Sequence, residues 1–203
     1  MKKPFWEETY GNKNMKTFGE PSFEIIELSE IIPEGSLVLD MGCGDGRNSG
    51  FLAEKGFNVE AFDISETGIN RLKEITEEKK INIDAWVEDL VEFKFSKFYD
   101  VIITHGVLHL LEREVWAKLI NEMKTYTNPG GVNIVAVFTD EIEPPEDLAP
   151  FTKGLFKEGE LAELYSDWEI KLFQSYVFED EHGEGIKHTH PVNKIVAIKN
   201  KGL

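Results

Sequence analysis

Short apolar runs alternate with amphipathic stretches along most of the chain. The apolar runs are typical of strands buried on both faces, and they cover Ser36–Met41, Asn58–Asp63, Ile81–Val87, Tyr99–Thr104 and Val132–Phe138. The stretches with helical spacing cover Phe23–Ile32, Arg47–Lys55, Ser65 to about Lys80, and Glu112–Thr127. Strands that alternate with helices favour βαβ units, so the pattern predicts an α/β fold around a parallel sheet.

The end of the chain has a different pattern. One helix is predicted over Lys157–Tyr165, and two strand-like runs follow it, Trp168–Phe178 and Val192–Lys199. The polar segment between these runs, Glu179–Gly185, is too short for a crossover helix. The last two strands are therefore predicted to form an antiparallel hairpin added to the parallel sheet.

Length and charge narrow the class of protein. The 203 residues contain no internal repeat or linker, so we expect a single domain over residues 1–203, with residues 1–20 as an N-terminal arm. A net charge of −16 makes nucleic acid and anionic membranes poor partners. With one cysteine, Cys43, and neither a signal peptide nor a long apolar run, a cytoplasmic location is expected. A monomer and a homodimer both stay open.

A cluster of glycines follows the first predicted strand, in Leu39–Gly46. Glycines let the backbone approach a ligand closely, and a helix begins directly after them. Asp40 and Asp45 flank these glycines, and their carboxylates would repel a pyrophosphate. The third glycine also comes one residue earlier than in the dinucleotide pattern. The loop therefore predicts a ligand with a cationic part. Its candidate cofactor-binding residues are Asp40, Gly42, Cys43, Gly44 and Gly46.

Acidic residues also follow the second and third predicted strands. Asp63 lies about twenty residues beyond the glycine loop, where a carboxylate can accept hydrogen bonds from both ribose hydroxyls. Asp89 could accept a hydrogen bond from an adenine amino group while Leu90 covers the ring. Each aspartate alone could instead be a helix cap or a turn residue. Together, at one edge of the sheet, they favour S-adenosylmethionine (SAM), which combines a ribose, an adenine, a sulfonium and an ammonium group.

Several of these segments resemble the motifs of one enzyme family, the class I SAM-dependent methyltransferases. Leu39–Gly46 is similar to their glycine motif, and Ala61–Ser65 is similar to their ribose-binding stretch. Phe98–Ile102 and Asn128–Gly131 resemble their fourth strand and the turn before their fifth. Within that superfamily, two parts of the chain resemble the tellurite-resistance (TehB-like) small-molecule methyltransferases. These parts are Gly46–Ser49, and Phe156–Leu161 together with Tyr165, Trp168 and Glu169.

The resemblance covers nearly the whole chain. It implies a Rossmann-like, doubly wound sheet of seven mostly parallel strands whose last strand is reversed, in agreement with the predicted hairpin. It also implies SAM as cofactor and transfer of a methyl group to a small-molecule acceptor, by in-line displacement at the sulfonium carbon. Ile64 joins the cofactor site through this resemblance. Trp6 and Tyr10 could form a surface staple or a lid over SAM, and the resemblance favours the lid.

The candidate residues on the acceptor side are histidines and one arginine. His105 and His109 follow the fourth strand and could supply a general base, with His105 also near the cofactor; pocket lining and helix capping stay open as alternatives. Their spacing is also that of a metal pair, but no third ligand accompanies them, so no metal is expected. Arg47, His188 and His190 are candidate substrate-binding residues, although the two histidines could also form a solvated hairpin end.

Three function classes compete for this sequence. The leading hypothesis is a SAM-dependent methyltransferase that acts on a small, neutral or thiol-like acceptor. An oxyanion acceptor is disfavoured because Arg47 and Lys187 are the only cations expected near the acceptor, beside the histidines. The second hypothesis is a SAM-binding sensor or assembly protein without catalysis. The third, an NAD-dependent oxidoreductase, is disfavoured by the acids and the glycine spacing of the loop. Cys43 is expected to be a small loop residue rather than a nucleophile.

Overall fold

A computed structural model of the chain describes residues 5–12, 19–146, 148–182 and 186–202. Its helices are α1 (Phe5–Gly11), α2 (Phe23–Ser29), α3 (Arg47–Glu54), α4 (Glu66–Lys79), α5 (Arg113–Tyr126) and α6 (Glu160–Leu164), with a short 3₁₀ helix at Leu108–Leu110. Its strands are β1 (Leu37–Met41), β2 (Asn58–Asp63), β3 (Ile83–Val87), β4 (Tyr99–His105), β5 (Thr127–Phe138), β6 (Glu169–His182) and β7 (Ile186–Ile198).

These strands form one seven-stranded sheet in the order β3-β2-β1-β4-β5-β7-β6. β1 pairs in parallel with β2 and β4, and β2 pairs in parallel with β3. β7 runs antiparallel to both β5 and β6. The predicted fold class, a Rossmann-like mostly parallel sheet with an antiparallel C-terminal hairpin, is confirmed. By its internal contacts the chain divides into two compact units, Met1–Ile103 and Thr104–Leu203, and the single domain stays a prediction.

Each unit has its own apolar core. In the first unit, Phe62 of β2 stacks on Phe93 with ring centroids 4.5 Å apart, and Leu72 of α4 is fully buried. In the second unit, Trp116 of α5 stacks on Phe156 at 3.9 Å, and its indole Nε1 donates a hydrogen bond of 2.9 Å to the carbonyl of Gly154. Burial of such aromatic rings supplies much of the free energy that holds the helices to the sheet.

The strand predicted over Val132–Phe138 begins earlier, at Thr127. The segment Asn128–Gly131, predicted as a turn, belongs to β5 because it continues the ladder with the end of β7. The amide of Gly130 donates to the carbonyl of Lys199, and the amide of Lys199 donates to the carbonyl of Gly131, both at 2.9 Å. Side-chain pattern alone does not reveal this pairing, because it is made by the backbone.

The hairpin is confirmed, but its arms are longer than predicted. The sequence predicts that the whole polar segment Glu179–Gly185 connects the two strands, whereas β6 extends to His182 and Glu179 pairs with Thr189. Conversely, the helix predicted over Lys157–Tyr165 begins only after Gly159, whose φ of +74° is incompatible with a helix. Within the described residues, no helix is both long enough and apolar enough to cross a membrane.

The predicted N-terminal arm is only partly described. Residues 5–12 contain α1, which the sequence pattern did not predict, while residues 1–4 and 13–18 lie outside the described residues. Ser22, predicted to cap α2, makes no side-chain capping bond; instead its amide donates to Asn48 Oδ1 at 3.1 Å. Ser65 caps α4 as expected, because its hydroxyl accepts a hydrogen bond from the amide of Gly68 at 3.0 Å.

Candidate functional site

The glycine loop between β1 and α3 is tightly folded. Gly42, Gly44 and Gly46 all have positive φ angles, which residues with a Cβ adopt only at a cost. The amides of Gly42 and Cys43 both donate to the carbonyl of Phe62, at 2.8 and 3.0 Å. A Cβ on Gly46 would lie 2.2 Å from Cδ1 of Leu72. The loop is therefore fixed against the end of β2 and against α4, and its role in binding a ligand stays a prediction.

Asp63, at the end of β2, joins two backbone segments of this loop region. Its Oδ2 accepts a hydrogen bond from the amide of Gly44, and its Oδ1 accepts one from the amide of Ser65, both at 2.8 Å. The side chain is 8% exposed. Burial raises the pKa of Asp63, and the hydrogen bonds that it accepts oppose that rise only in part. Each carboxylate oxygen accepts one of these bonds and keeps capacity for another.

Two more carboxylates lie at the loop. Asp40 is buried and accepts a hydrogen bond of 2.5 Å from the hydroxyl of Ser49, which joins β1 to α3. Burial raises the pKa of Asp40 to about 6, against the opposing effects of Ser49 and of the Arg47 charge. Burial also raises the pKa of Asp45, whose Oδ2 lies 3.4 Å from Nε of Arg71. A cationic ligand would stabilise the ionised forms of all three aspartates.

Tyr10 of α1 lies directly against the glycine loop. A Cβ on Gly44 would lie 2.3 Å from the Tyr10 hydroxyl oxygen, and one on Gly68 would lie 3.2 Å from its Cδ2. Burial raises the pKa of Tyr10 well above its usual value, and the charges of Asp63 and Asp45 raise it further. Tyr10 thus lies against the loop, and its role as a lid over SAM stays a prediction. Trp6, on the same helix, is half-buried.

The adenine-side candidates lie at the ends of β2 and β3. Ile64 is 58% exposed directly after Asp63, which suits a side chain that covers a flat ring. The amide of Glu88 donates to the carbonyl of Asp63 at 3.1 Å, and this bond brings the two strand ends together. Asp89 Oδ1 accepts a hydrogen bond from the amide of Val91 at 2.9 Å, as in a turn, and Leu90 is buried. The turn role left open for Asp89 is therefore realised, and its ligand role stays a prediction.

Arg47 and Cys43 have surroundings that limit their chemistry. Nη1 of Arg47 donates to the carbonyl of Glu20 at 3.4 Å, and its charge is attracted by Asp40 and Glu24. Burial raises the pKa of the Cys43 thiol well above its usual value, and the nearby carboxylates add to the rise. The thiol is therefore protonated and a poor nucleophile, in line with its interpretation as a small loop residue.

In the second unit, His109 is buried and neutral. Its Nδ1 accepts a hydrogen bond of 3.2 Å from the amide of Phe138, and its ring stacks on that of Phe138 at 4.1 Å. Burial lowers the pKa of His109 to about 3, and the charge of His190 lowers it further. The proton of the neutral ring therefore lies on Nε2, so these contacts favour the lining or capping alternative over a general base. His105 is half-buried at the end of β4 and remains the better candidate base.

The two histidines of β7 are buried rather than solvated. His188 is 2% and His190 is 3% exposed, and the ring of His190 stacks on that of Phe138 with the centroids 4.5 Å apart. A small cavity beside His190 has room for about one water molecule and is lined by Phe138, Ile142, Pro144 and Leu148 among others. The solvated-hairpin alternative is thus wrong for both histidines, while their role toward a substrate stays a prediction. The side chain of Lys187 lies outside the described residues.

These residues fit SAM. Three carboxylates with raised pKa values surround a glycine loop and suit its two cationic groups. Asp63 has acceptor capacity for ribose hydroxyls, and the exposed Ile64 suits the adenine. Among the described residues, no group of three or more His, Cys, Asp or Glu side chains could hold a metal ion. The sequence analysis gave no role to two contributors: Ser49, which bonds Asp40, and Arg71, which faces Asp45. Ser49 belongs to the segment Gly46–Ser49 that resembles the family, whereas no motif marks Arg71.

Known proteins resemble this chain in sequence and in fold. The family model "Tellurite resistance protein TehB" matches residues 3–195. The chain is 35% identical over 170 residues to "Probable S-adenosyl-L-methionine-dependent methyltransferase TehB" of Haemophilus influenzae, covering 81% of this chain and 58% of that protein. The chain thus spans 58% of the length of this curated relative.

Solved structures give the same result. The crystal structure of TehB from Haemophilus influenzae superposes with a TM-score of 0.81 at 28% identity, over 97% of this chain and 67% of that one. The N-methyltransferase NodS from Bradyrhizobium japonicum, in complex with S-adenosyl-L-homocysteine, shares the fold with a TM-score of 0.70 at 17% identity, over 96% of each chain. The family resemblance of the sequence is confirmed, and this chain belongs to the tellurite resistance protein TehB family.

Proposed function

We propose that this protein is a SAM-dependent methyltransferase that transfers a methyl group to a small-molecule acceptor. The observation that carries the proposal is the group of three buried carboxylates, Asp40, Asp45 and Asp63, at a tightly folded glycine loop. Such a site suits a cationic cofactor and disfavours a pyrophosphate. Membership of a family whose curated relative is named a SAM-dependent methyltransferase supports the same assignment.

Methyl transfer from SAM requires few catalytic groups from the protein. Bound SAM supplies an already activated methyl group, so the chain has to position the cofactor and the acceptor and exclude water. Asp63 is suited to orient the ribose because its own position is held by the amides of Gly44 and Ser65. A general base is needed only for an acceptor that arrives protonated, and His105 is our candidate for that role.

Three further proposals accompany this function. We propose that residues 1–203 act as one methyltransferase domain, a proposal supported by the single seven-stranded sheet. A cytoplasmic location is supported by the lone Cys43, since a reducing compartment suits a protein with one thiol. The charge of −16 argues against nucleic acid as a partner, and a monomer or homodimer is expected.

Turnover tests the function directly. Purified protein incubated with SAM and a panel of small acceptors is expected to form S-adenosylhomocysteine in an acceptor-dependent manner, measured by liquid chromatography and mass spectrometry. Binding of SAM by calorimetry without turnover on any acceptor would instead support a sensor or assembly protein. Absence of SAM binding would refute both.

The class of acceptor can be predicted from the charges of the second unit. Neutral or thiol-like acceptors are expected to have a higher kcat/KM than tellurite or selenite, measured side by side at equal concentration. An oxyanion moved from water into a pocket must be paired with a cation. The described residues that line the cavity beside His190 include no lysine or arginine, and His109 is neutral. A higher kcat/KM for the oxyanion, lost in Arg47→Ala, would contradict this prediction.

A lid role for the N-terminal arm gives another prediction. Amides of residues 5–12 are expected to exchange their hydrogens more slowly when SAM is bound, because Tyr10 lies against the glycine loop and its helix would be held more firmly over an occupied site. Hydrogen exchange followed by mass spectrometry, with and without SAM, measures this protection. Equal exchange in the two states would mean that α1 is a fixed surface helix; α5, in the other unit, serves as the internal reference.

A further inference from the structure

One arginine of the first unit contacts both the glycine loop and the N-terminal helix. Arg71 lies midway along α4, and its side chain is 15% exposed. Its Nη1 donates hydrogen bonds to the carbonyls of Tyr10 at 3.3 Å and Asn12 at 3.0 Å. Its Nε lies 3.4 Å from Oδ2 of Asp45, whose side chain is 7% exposed. A guanidinium can serve these partners together because its five N–H donors spread in a planar fork.

We propose that Arg71 is a positioning residue that fastens the N-terminal helix α1 to the glycine loop and thereby sets the geometry of the cofactor site. This inference rests on the proposed function, since it concerns the same site. Neither the sequence motifs nor the family membership assigns Arg71 a role. It is a positioning residue because it acts through Tyr10 and Asp45.

Helix α1 depends on contacts with the rest of the fold for its stability. α1 has seven residues, and a helix of this length has little stability of its own in water. The carbonyls at the end of a helix lack intrahelical partners and favour a cation, and Arg71 meets the carbonyl of Tyr10 in the last turn. At the other end of α1, the hydroxyl of Thr67 donates to Glu7 Oε2 at 2.8 Å. Residues of α4 therefore hold α1 near both of its ends.

The position of α1 decides the position of the Tyr10 side chain. The Tyr10 hydroxyl lies so near Gly44 that a single Cβ there would collide with it. Asp45, the next residue of the loop, is the carboxylate that faces Arg71. Arg71 thus binds the main chain of Tyr10, which covers the loop, and the side chain of Asp45, which belongs to the loop. Loss of the guanidinium is expected to release α1 and to remove the ion-pair partner of the buried Asp45 carboxylate.

Hydrogen exchange on the cofactor-free protein tests the first half of this proposal without relying on SAM. Arg71→Ala is expected to speed amide exchange in residues 5–12 by about tenfold or more, the scale of a lost charge-assisted hydrogen bond. Lys79→Ala is the matched control, because it removes the exposed ion pair of Lys79 with Glu54 from the same helix. Unchanged exchange of residues 5–12 in a folded Arg71→Ala protein would overturn the proposal.

Kinetics test the second half. Arg71→Ala is expected to raise the KM for SAM about tenfold while kcat changes less than about threefold. Arg71→Lys keeps a cation near Asp45 but cannot serve both partners, so it should recover part of the KM and leave α1 fast-exchanging. A merely structural arginine would instead lower the melting temperature and leave the KM for SAM of the folded fraction unchanged, and that result would also overturn the proposal.

Asp45→Asn is an independent test of the proposal, and it can be used if the Arg71→Ala protein does not fold. Its loss of charge removes the ion pair that anchors Arg71, so exchange in α1 is expected to speed up although Asp45 belongs to the loop. Unaltered exchange in α1 would count against the proposal. The proposed function fails separately: if Asp63→Ala leaves SAM affinity intact, the cofactor site is misplaced, whatever the exchange of α1 shows.

Discussion

Replacement of Asp63 by alanine is expected to weaken SAM binding by ~1.5–3 kcal/mol, which is roughly a 10- to 150-fold rise in Kd. The carboxylate has two tasks at the candidate site. It offers acceptor capacity for the ribose hydroxyls, and it holds the amides of Gly44 and Ser65 at 2.8 Å. Alanine removes both, so the loop loses its anchor together with the direct contact to the ligand.

The asparagine variant separates these tasks. Asp63→Asn retains one acceptor oxygen, so a smaller loss is expected, but its amide group would face one of the two backbone N–H donors. Titration calorimetry with SAM gives the Kd of each variant, and thermal unfolding shows whether the loop has lost its fold. Asp84→Ala, at an exposed position of β3, is the matched control. Equal Kd values for wild type and Asp63→Ala would remove Asp63 from the site.

The affinity for SAM is expected to fall as the pH drops below 6, by up to about tenfold per pH unit. Burial raises the pKa of Asp40 to about 6, so this carboxylate becomes protonated just below neutral pH. A neutral Asp40 no longer attracts the cationic groups of the cofactor. The pKa values of Asp45 and Asp63 are also raised by burial, and their protonation acts in the same direction at lower pH.

Two comparisons make this pH dependence specific. S-adenosylhomocysteine lacks the sulfonium charge, so its Kd should change less between pH 7.5 and pH 5, on the same instrument and in the same buffers. Asp40→Asn should bind SAM more weakly at pH 7 and show a flatter profile through pH 6, while its amide oxygen still accepts a hydrogen bond from Ser49. A wild-type Kd for SAM that stays constant across this pH range would show that the charge of Asp40 does not affect SAM binding.

The effect of Asp40 on folding has the opposite sense. Its native pKa of about 6 lies above the unfolded value near 3.9, so protonation favours the folded state. The stabilisation is complete below about pH 4 and is lost as the pH rises through 6, by roughly 3 kcal/mol. Asp40→Asn should therefore unfold at a higher temperature than wild type at pH 7. At neutral pH the ionised Asp40 is therefore expected to strengthen SAM binding and to lower the free energy of unfolding.

Much of the fold could be read from local patterns. The buried strand β2 was predicted with its observed bounds, and the cap of α4 by Ser65 was also recognised. Both follow from residues that are close in the chain: a short apolar run in β2, and a side chain that reaches the next turn of the helix in α4. By contrast, the segment Asn128–Gly131 looked like a turn and is part of a strand, because its partner, β7, lies more than sixty residues away.

For the candidate site, the sequence alone determined the family, the glycine loop and the acidic residues that follow the strands, since each is a short run whose chemistry is local. Only the tertiary structure decided what those residues contact. It buried His109 and His190 against the ring of Phe138, bonded Asp40 to Ser49, and placed Arg71 between α1 and Asp45. These contacts join residues that are far apart in the chain. The charges and protonation states of the side chains follow from that burial, and no spacing in the sequence encodes them.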